Sequence, residues 1–385
     1  MKNHKEMETQ VVIIGAGIMG LSTAYYLAKQ GMKACVLEQM PYAGGYTTSR
    51  CAGGFRSQFN TRLNIELSLY NQLLMERMEK DDGINLQINR CGYYFLANQD
   101  KDVSILQKSA YLQNSMGVGT RLLYGREIQT ELPYLNCSGT ILAAVCKNDG
   151  LFDVASMTSH LAGQLKKLGV PVLKNMKVTG IDRMSGRIAG VQTSQGEICA
   201  PHVVIAAGPW SQGLAKMVDI DLPLAKVPQQ LFLTTGVNWA ESIPVVVYLH
   251  NGLGFHAQSG AILSGMTKEK ANSAGEGLDH DWTFEHCFEA VRYLPELIHT
   301  SIACEWWGYY DSTPDAKPII GKLPVPGLFC LAGFDGHGLM HGLAAGNIVS
   351  SMIARGKFEE FDVAGASIER FLHNADIKKK NEIRI

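Results

Sequence analysis

No CxxC pair occurs in this chain. Its nine cysteines are scattered at Cys35, Cys51, Cys91, Cys137, Cys146, Cys199, Cys287, Cys304 and Cys330. That spacing indicates neither a zinc site nor a redox dithiol. An odd number without pattern suits a reducing cytoplasm. An excess of either charge is also missing. Thirty-five Lys and Arg stand against 36 Asp and Glu, a net charge of -1, so no global field draws in nucleic acid or an anionic membrane. No apolar run is long enough to span a bilayer, and the polar first nine residues do not read as a signal peptide. There is no internal repeat and no low-complexity linker. Lys378, Lys379 and Lys380 read as a short solvated basic tail. What is present is globular: 385 residues, 46% hydrophobic and 18% charged, enough for one large α/β unit or two interleaved domains.

Residues 10–14 read as a short buried strand, 18–30 as a helix and 34–38 as the next strand. This is a βαβ unit, which implies a parallel sheet. Helices are expected at 63–80 and 153–168, the second opened by Asp153 and closed near Gly169. Strands are expected at 90–97 and 202–207, with a short run at 170–173 and an alternating stretch over 176–199. From about 228 to 306 the pattern changes to strands with turns at Asn251-Gly252 and Ser259-Gly260, then a helix near 282–294. The last part, 318–355, returns to strand, glycine-rich loop and helix, the helix spanning about 342–354.

Gly15-x-Gly17-x-x-Gly20 follows the first strand and opens the first helix. The first glycine permits a tight turn, the second lets the backbone approach a pyrophosphate, and the third lets helix and strand pack closely. The helix N-terminus offers N–H groups to phosphates. Glu38 ends the second strand, where a carboxylate bonds ribose hydroxyls and disfavours a 2′-phosphate. These features place a dinucleotide without separating FAD from NAD. Three further segments bear on that choice. Gly44-Gly45-x-Thr47-Thr48-Ser49-Arg50-Cys51-Ala52-Gly53-Gly54-Phe55-Arg56 is rich in small and hydroxyl residues. Val203–Ser211 is a buried strand ending in small residues. Thr313-Pro314-Asp315 is followed by the glycine-rich loop Gly333–Met340 before a helix whose N-terminus suits a flavin carbonyl.

Together these segments resemble the D-amino-acid oxidase/glycine oxidase/sarcosine oxidase family of flavoproteins over nearly the whole chain. The resemblance implies FAD in a Rossmann-like α/β domain and oxidation of a C–N bond by hydride transfer to the flavin. The FAD-binding domain is then discontinuous, 1–85, 145–225 and 310–375, with an inserted β-rich α+β substrate domain from 86–144 and 226–309. The cofactor-binding set begins with Gly15, Gly17, Ile18, Met19, Gly20, Glu38 and Gln39. It continues with Gly45, Thr47, Thr48, Ser49, Arg50, Gly53 and Gly54, and with Val178 beside the adenine. Ala206, Ala207, Gly208, Trp210 and Gly308 follow, then Asp335, Gly336, His337, Gly338, Leu339 and Met340.

Within the family, the stretches 52–59, 308–315 and 333–340 look most like β subunits of heteromeric sarcosine oxidase and dye-linked L-proline dehydrogenase. Gly308 stands where monomeric sarcosine oxidases carry the cysteine that attaches FAD. Arg50 stands where dimethylglycine-dehydrogenase-like enzymes attach it to histidine. Met340 replaces a lysine of the monomeric oxidases. FAD is therefore expected to be non-covalent. Leu263 aligns with the lysine that helps oxygen react in such oxidases, which favours a dehydrogenase passing electrons to a partner.

Arg56 is the candidate for gripping a substrate carboxylate, since its fork matches one bidentately. Tyr248, His256 and Tyr310 are candidates for lining the substrate cavity, and His337 for a bond to flavin or substrate. Tyr310-Asp311 replaces the arginine typical of the D-amino-acid oxidase branch. Three functions stay open: a dehydrogenase subunit for a sarcosine- or proline-like amine within a complex, a stand-alone glycine or amine oxidase releasing peroxide, and a non-catalytic FAD-binding subunit. A cytoplasmic location is expected.

Overall fold

The computed structural model describes residues 7–267 and 277–372. The basic tail at 378–380 lies outside the described residues. Val11–Ile14 is buried at every position, as a central strand covered on both faces requires. It pairs in parallel with Ala34–Leu37 on one side and His202–Ile205 on the other. Val172–Leu173 and Leu328–Ala332 extend this sheet in parallel at each end, and Ile319–Lys322 closes it antiparallel, making six strands. The helix Ile18–Lys29 makes the crossover between the first two strands. A four-stranded sheet formed by Met7–Glu8, Gly196–Cys199, Arg187–Thr193 and Val178–Met184 holds most of the alternating stretch.

The second large sheet has eight strands, in the order Ile302–Ser312, Ala225–Thr234, Ala261–Gly265, Leu253–Gln258, Val245–Tyr248, Tyr93–Ala97, Leu142–Cys146 and Arg121–Tyr124. Its pairs are antiparallel except Val245–Tyr248 with Tyr93–Ala97. This is the β-rich part expected from the sequence. Helices Arg62–Asp82, Val154–Lys167 and His280–Tyr293 match the expected ones within a few residues. Their starts are set by caps: Thr61 accepts from Asn64 N, Asp153 from Ala155 N and Asp279 from Trp282 N.

Local pattern misled at two places. The expected strand at 90–97 begins only at Tyr93. The final helix runs Gly338–Arg355 and so starts four residues before the expected 342. Its glycines look like loop residues, but they serve helix contact. A Cβ on Gly342 would lie 2.6 Å from Ile18 Cγ1, and one on Gly346 would lie 2.3 Å from Ser22 Oγ. Ser22 Oγ donates to the Gly342 carbonyl at 2.7 Å. Close approach of the two helices thus overrides poor helix propensity. It also brings both N-termini to one place.

Candidate active site

A turn built around glycine forms the floor of the site. Gly15 has φ +108°, and a Cβ there would lie 2.4 Å from the Ala206 carbonyl oxygen. A Cβ on Gly20 would fall 1.8 Å from the Gly15 carbonyl oxygen. Gly20 therefore serves packing and does not itself face the cavity. Glu38 is held by the backbone it meets: Ala16 N donates to Oε2 and Met40 N to Oε1, each at 2.8 Å. Ile18 N donates to Thr48 Oγ1 at 3.1 Å, which ties the 44–56 loop to the helix start.

Above this floor lies a cavity of about 630 Å³ whose wall is drawn from both large sheets. Of the expected cofactor residues, Gly15, Gly17, Ile18, Met19, Glu38, Gln39, Gly45, Thr47, Thr48, Arg50, Gly53, Gly54 and Val178 line it. So do Ala206, Ala207, Gly208, Trp210, Gly308, Gly336, Gly338, Leu339 and Met340. Four do not: Gly20, Ser49, Asp335 and His337. Ser49 is exposed. Asp335, at φ 49°, accepts from Ser312 Oγ within the protein. Aromatic rings and cations cluster around Tyr46 and Trp210 in the wall. Tyr46 meets Trp210 edge-on at 4.6 Å, the Arg50 guanidinium lies 4.0 Å from the Tyr46 ring centre, and Lys226 lies 5.3 Å from that of Trp210. Trp306 Nε1 donates to the Arg50 carbonyl at 2.9 Å, joining the loop to the eight-stranded sheet.

The substrate-side expectations divide. His256 and Tyr310 line the cavity; Arg56, Tyr248 and His337 do not. Arg56 is 1% exposed. Its guanidinium stacks 3.9 Å from the Phe59 ring centre, donates to the Gln58 carbonyl, and meets His337 Nε2 at 3.0 Å. A guanidinium only donates, so His337 Nε2 accepts and that ring is neutral. Arg56 also bonds the Tyr93 hydroxyl, and it is Tyr93 that reaches the cavity. The arginine proposed to grip a carboxylate is thus committed to the layer behind the wall. Tyr248 fails for a simpler reason. Strand side chains alternate, and Val245 and Val247 take the cavity face. Tyr248 falls on the other face, fully buried and stacked on Tyr293 at 3.9 Å.

Sequence reasoning missed Tyr93, Gln230, Trp306, Tyr309 and Asp311 as wall residues. Period-two alternation along their strands was the only available signal, and it does not say which face meets the cofactor. Burial pushes the Asp311 carboxyl up to about 6; Asp335 nearby adds to this, and the Gly333 N–H, 2.7 Å away, opposes it. Burial likewise pushes the Cys51 thiol up to about 11. It donates to the Thr48 carbonyl at 2.9 Å and so sits in the wall as a neutral thiol. All nine cysteines are free, and no group of potential metal ligands occurs among the described residues. No helix among them is long and apolar enough to cross a membrane.

The glycine turn, the carboxylate at the second strand end and two converging helix N-termini define a dinucleotide-binding oxidoreductase site. The cradle fits an adenine dinucleotide: side-chain-free backbone faces the phosphates' position and Glu38 keeps spare lone pairs for a ribose. A family model described as FAD dependent oxidoreductase matches residues 10–352, and the chain belongs to that family. FAD is its cofactor, and flavin-dependent oxidoreduction is its class of activity. Human mitochondrial sarcosine dehydrogenase is 28% identical over 94% of this chain, which spans 41% of that protein's length. Sarcosine oxidase subunit beta of Rhizobium meliloti is also 28% identical, over 97% of this chain and 90% of that one. Among solved structures, L-proline dehydrogenase from P. horikoshii superposes with a TM-score of 0.90 at 27% identity, covering 97% of this chain and 100% of that one.

Proposed function

We propose that the protein oxidises the C–N bond of a small secondary amino acid, sarcosine- or proline-like, by hydride transfer to non-covalently held FAD. The observation that carries this is the continuity of the cavity. One space runs from the glycine turn and Glu38 onto an apolar face made by Val245, Val247, Leu263 and Leu231. A small apolar-bodied amine would be held against that face, in the same space as the cofactor that the glycine turn and Glu38 would hold. Segments 1–85, 145–225 and 310–375 hold FAD, and 86–144 and 226–309 form the substrate side, with the strand Ile302–Ser312 crossing that boundary. Bound flavin supplies the hydride acceptor. The protein's own part is to exclude water, orient the amine and fix its protonation.

Non-covalent attachment is supported by the absence of a side chain at Gly308 and by Arg50 in the wall. The apolar Leu263 in the same wall supports a dehydrogenase that hands electrons to another protein, and a relative named as a subunit supports a complex. The test is an anaerobic screen of N-methyl, cyclic and primary amino acids for loss of the oxidised flavin absorbance. Bleaching by sarcosine or proline, with dye reduction and no peroxide in air, is the expected result. Peroxide at the rate of turnover would mean an oxidase. A flavin that no amine bleaches would overturn the reading.

A further inference from the structure

We propose that His256 is the proton acceptor for the substrate amine. This rests on the reading that the cavity takes an amine. His256 lines the cavity and is 4% exposed. Its Nδ1 lies 2.8 Å from the Ala257 carbonyl oxygen. A carbonyl only accepts, so Nδ1 carries the hydrogen and the neutral ring presents a bare lone pair at Nε2. Nε2 has no hydrogen-bond partner among the described residues. A buried acceptor without a donor is costly, and a donor within the cavity would satisfy it.

Burial lowers the pKa of His256, opposed only by the Ala257 and Ala52 backbones. The ring is therefore neutral at pH 7. Glu38, Tyr46, Arg50, Cys51, Tyr93, Lys177, Tyr309, Tyr310 and Asp311 are the other titratable or charged groups lining the cavity. None of them contributes to the shift. Ala52 belongs to the 44–56 loop, so His256 stands between the eight-stranded sheet and the cofactor cradle. A ligand with an N–H matches this lone pair. The ammonium N–H bond breaks and an Nε2–H bond forms, leaving a neutral amine and an imidazolium. The neutral amine, with its lone pair free, is the form able to lose a hydride.

Two glycines line the cavity near His256. Gly254 pairs directly with Gly265, and His256 with Leu263. Neither glycine has a positive φ, so the backbone does not demand glycine at either position. A Cβ on Gly254 would make an ordinary contact of 3.4 Å with Val247 Cγ2. A Cβ on Gly265 would fall 2.5 Å from Leu231 Cδ2, so there Leu231 takes up the room that a side chain would need.

The test uses H256N and H256Q in the flavin-loaded protein. Asn keeps a donor for the Ala257 carbonyl and removes the acceptor at Nε2. Gln offers an acceptor there that cannot be protonated, and it serves where H256N fails to hold flavin. In both, kcat/KM for the amine at pH 7 should fall roughly 100-fold, the scale of general-base catalysis. The defect should shrink about tenfold per pH unit above 7, as solvent supplies free amine. Binding of a thioether isostere of the substrate, followed by the flavin spectrum without turnover, should stay within about twofold. A defect that does not change with pH, no defect, or equal loss of thioether binding would overturn the role of His256. If no amine reduces the flavin of the unmodified protein, the amine reading has failed instead.

Discussion

Glu38 gives the most direct test of the cofactor cradle. Its two oxygens already accept from Ala16 N and Met40 N at 2.8 Å. Each keeps capacity for a ribose hydroxyl. A hydrogen bond to a charged group contributes about 1.5–3 kcal/mol, and two would contribute about 3–6 kcal/mol. Glu38 is only half-buried, so screening reduces this to about 2–4 kcal/mol. At about 1.4 kcal/mol per tenfold, E38A should weaken FAD by roughly 30- to 1000-fold. FMN lacks the adenosine ribose and should bind E38A and the unmodified protein alike. The flavin-free variant should also unfold more easily, because two backbone N–H groups lose their acceptor at about 1–3 kcal/mol each. The assay is flavin fluorescence titration of flavin-free protein with FAD and FMN in parallel. Equal loss for both flavins, or undiminished FAD affinity, would refute a ribose contact.

Tyr248→Phe removes a buried hydroxyl that has no hydrogen-bond partner among the described residues and lies on the sheet face away from the cavity. Urea unfolding should show stability unchanged or raised by up to about 1 kcal/mol, and substrate kinetics should be unaltered; a shifted KM would return Tyr248 to the substrate site. Asp311→Asn keeps an acceptor for the Gly333 N–H and removes a carboxyl whose pKa burial raises to about 6 from the ordinary 3.8. A carboxyl raised on folding favours the folded state below pH 3.8 and loses that contribution as pH climbs through 6. Flavin-free D311N should therefore match the unmodified protein at pH 3.5 and exceed it at pH 8 by about 3 kcal/mol. Equal differences at both values in a urea titration would show that Asp311 does not titrate this way.

The dinucleotide end was legible because its signals are local. Gly15, Gly17, Gly20 and Glu38 lie within one βαβ unit, where the positive φ of Gly15, the contact of Gly20 with Gly15 and the bond of Ala16 to Glu38 are all internal to it. The 44–56 and 333–340 loops were legible only jointly, through order and spacing along the chain. Arg56 shows where such reading stops. Its type suits a carboxylate, and its place in the chain lies beside the cofactor loop. Yet a turn of backbone carries it behind Tyr93, where Phe59, His337 and the Gln58 carbonyl satisfy it.

The sequence by itself determined the parallel core strands, the glycine turn, the acid at the second strand end, and the class of cofactor these demand. Hydrophobic periodicity and glycine conformations act over a few residues, so no partner from afar was needed. Tertiary structure alone decided the substrate wall. Which face of the eight-stranded sheet meets the cavity depends on how strands as far apart as Tyr93 and Val245 pair. That pairing sets Val245, Val247 and His256 toward the cofactor and turns Tyr248 away. The close crossing of the Ile18–Lys29 and Gly338–Arg355 helices, which brings two N-termini to one site, was likewise fixed only by packing.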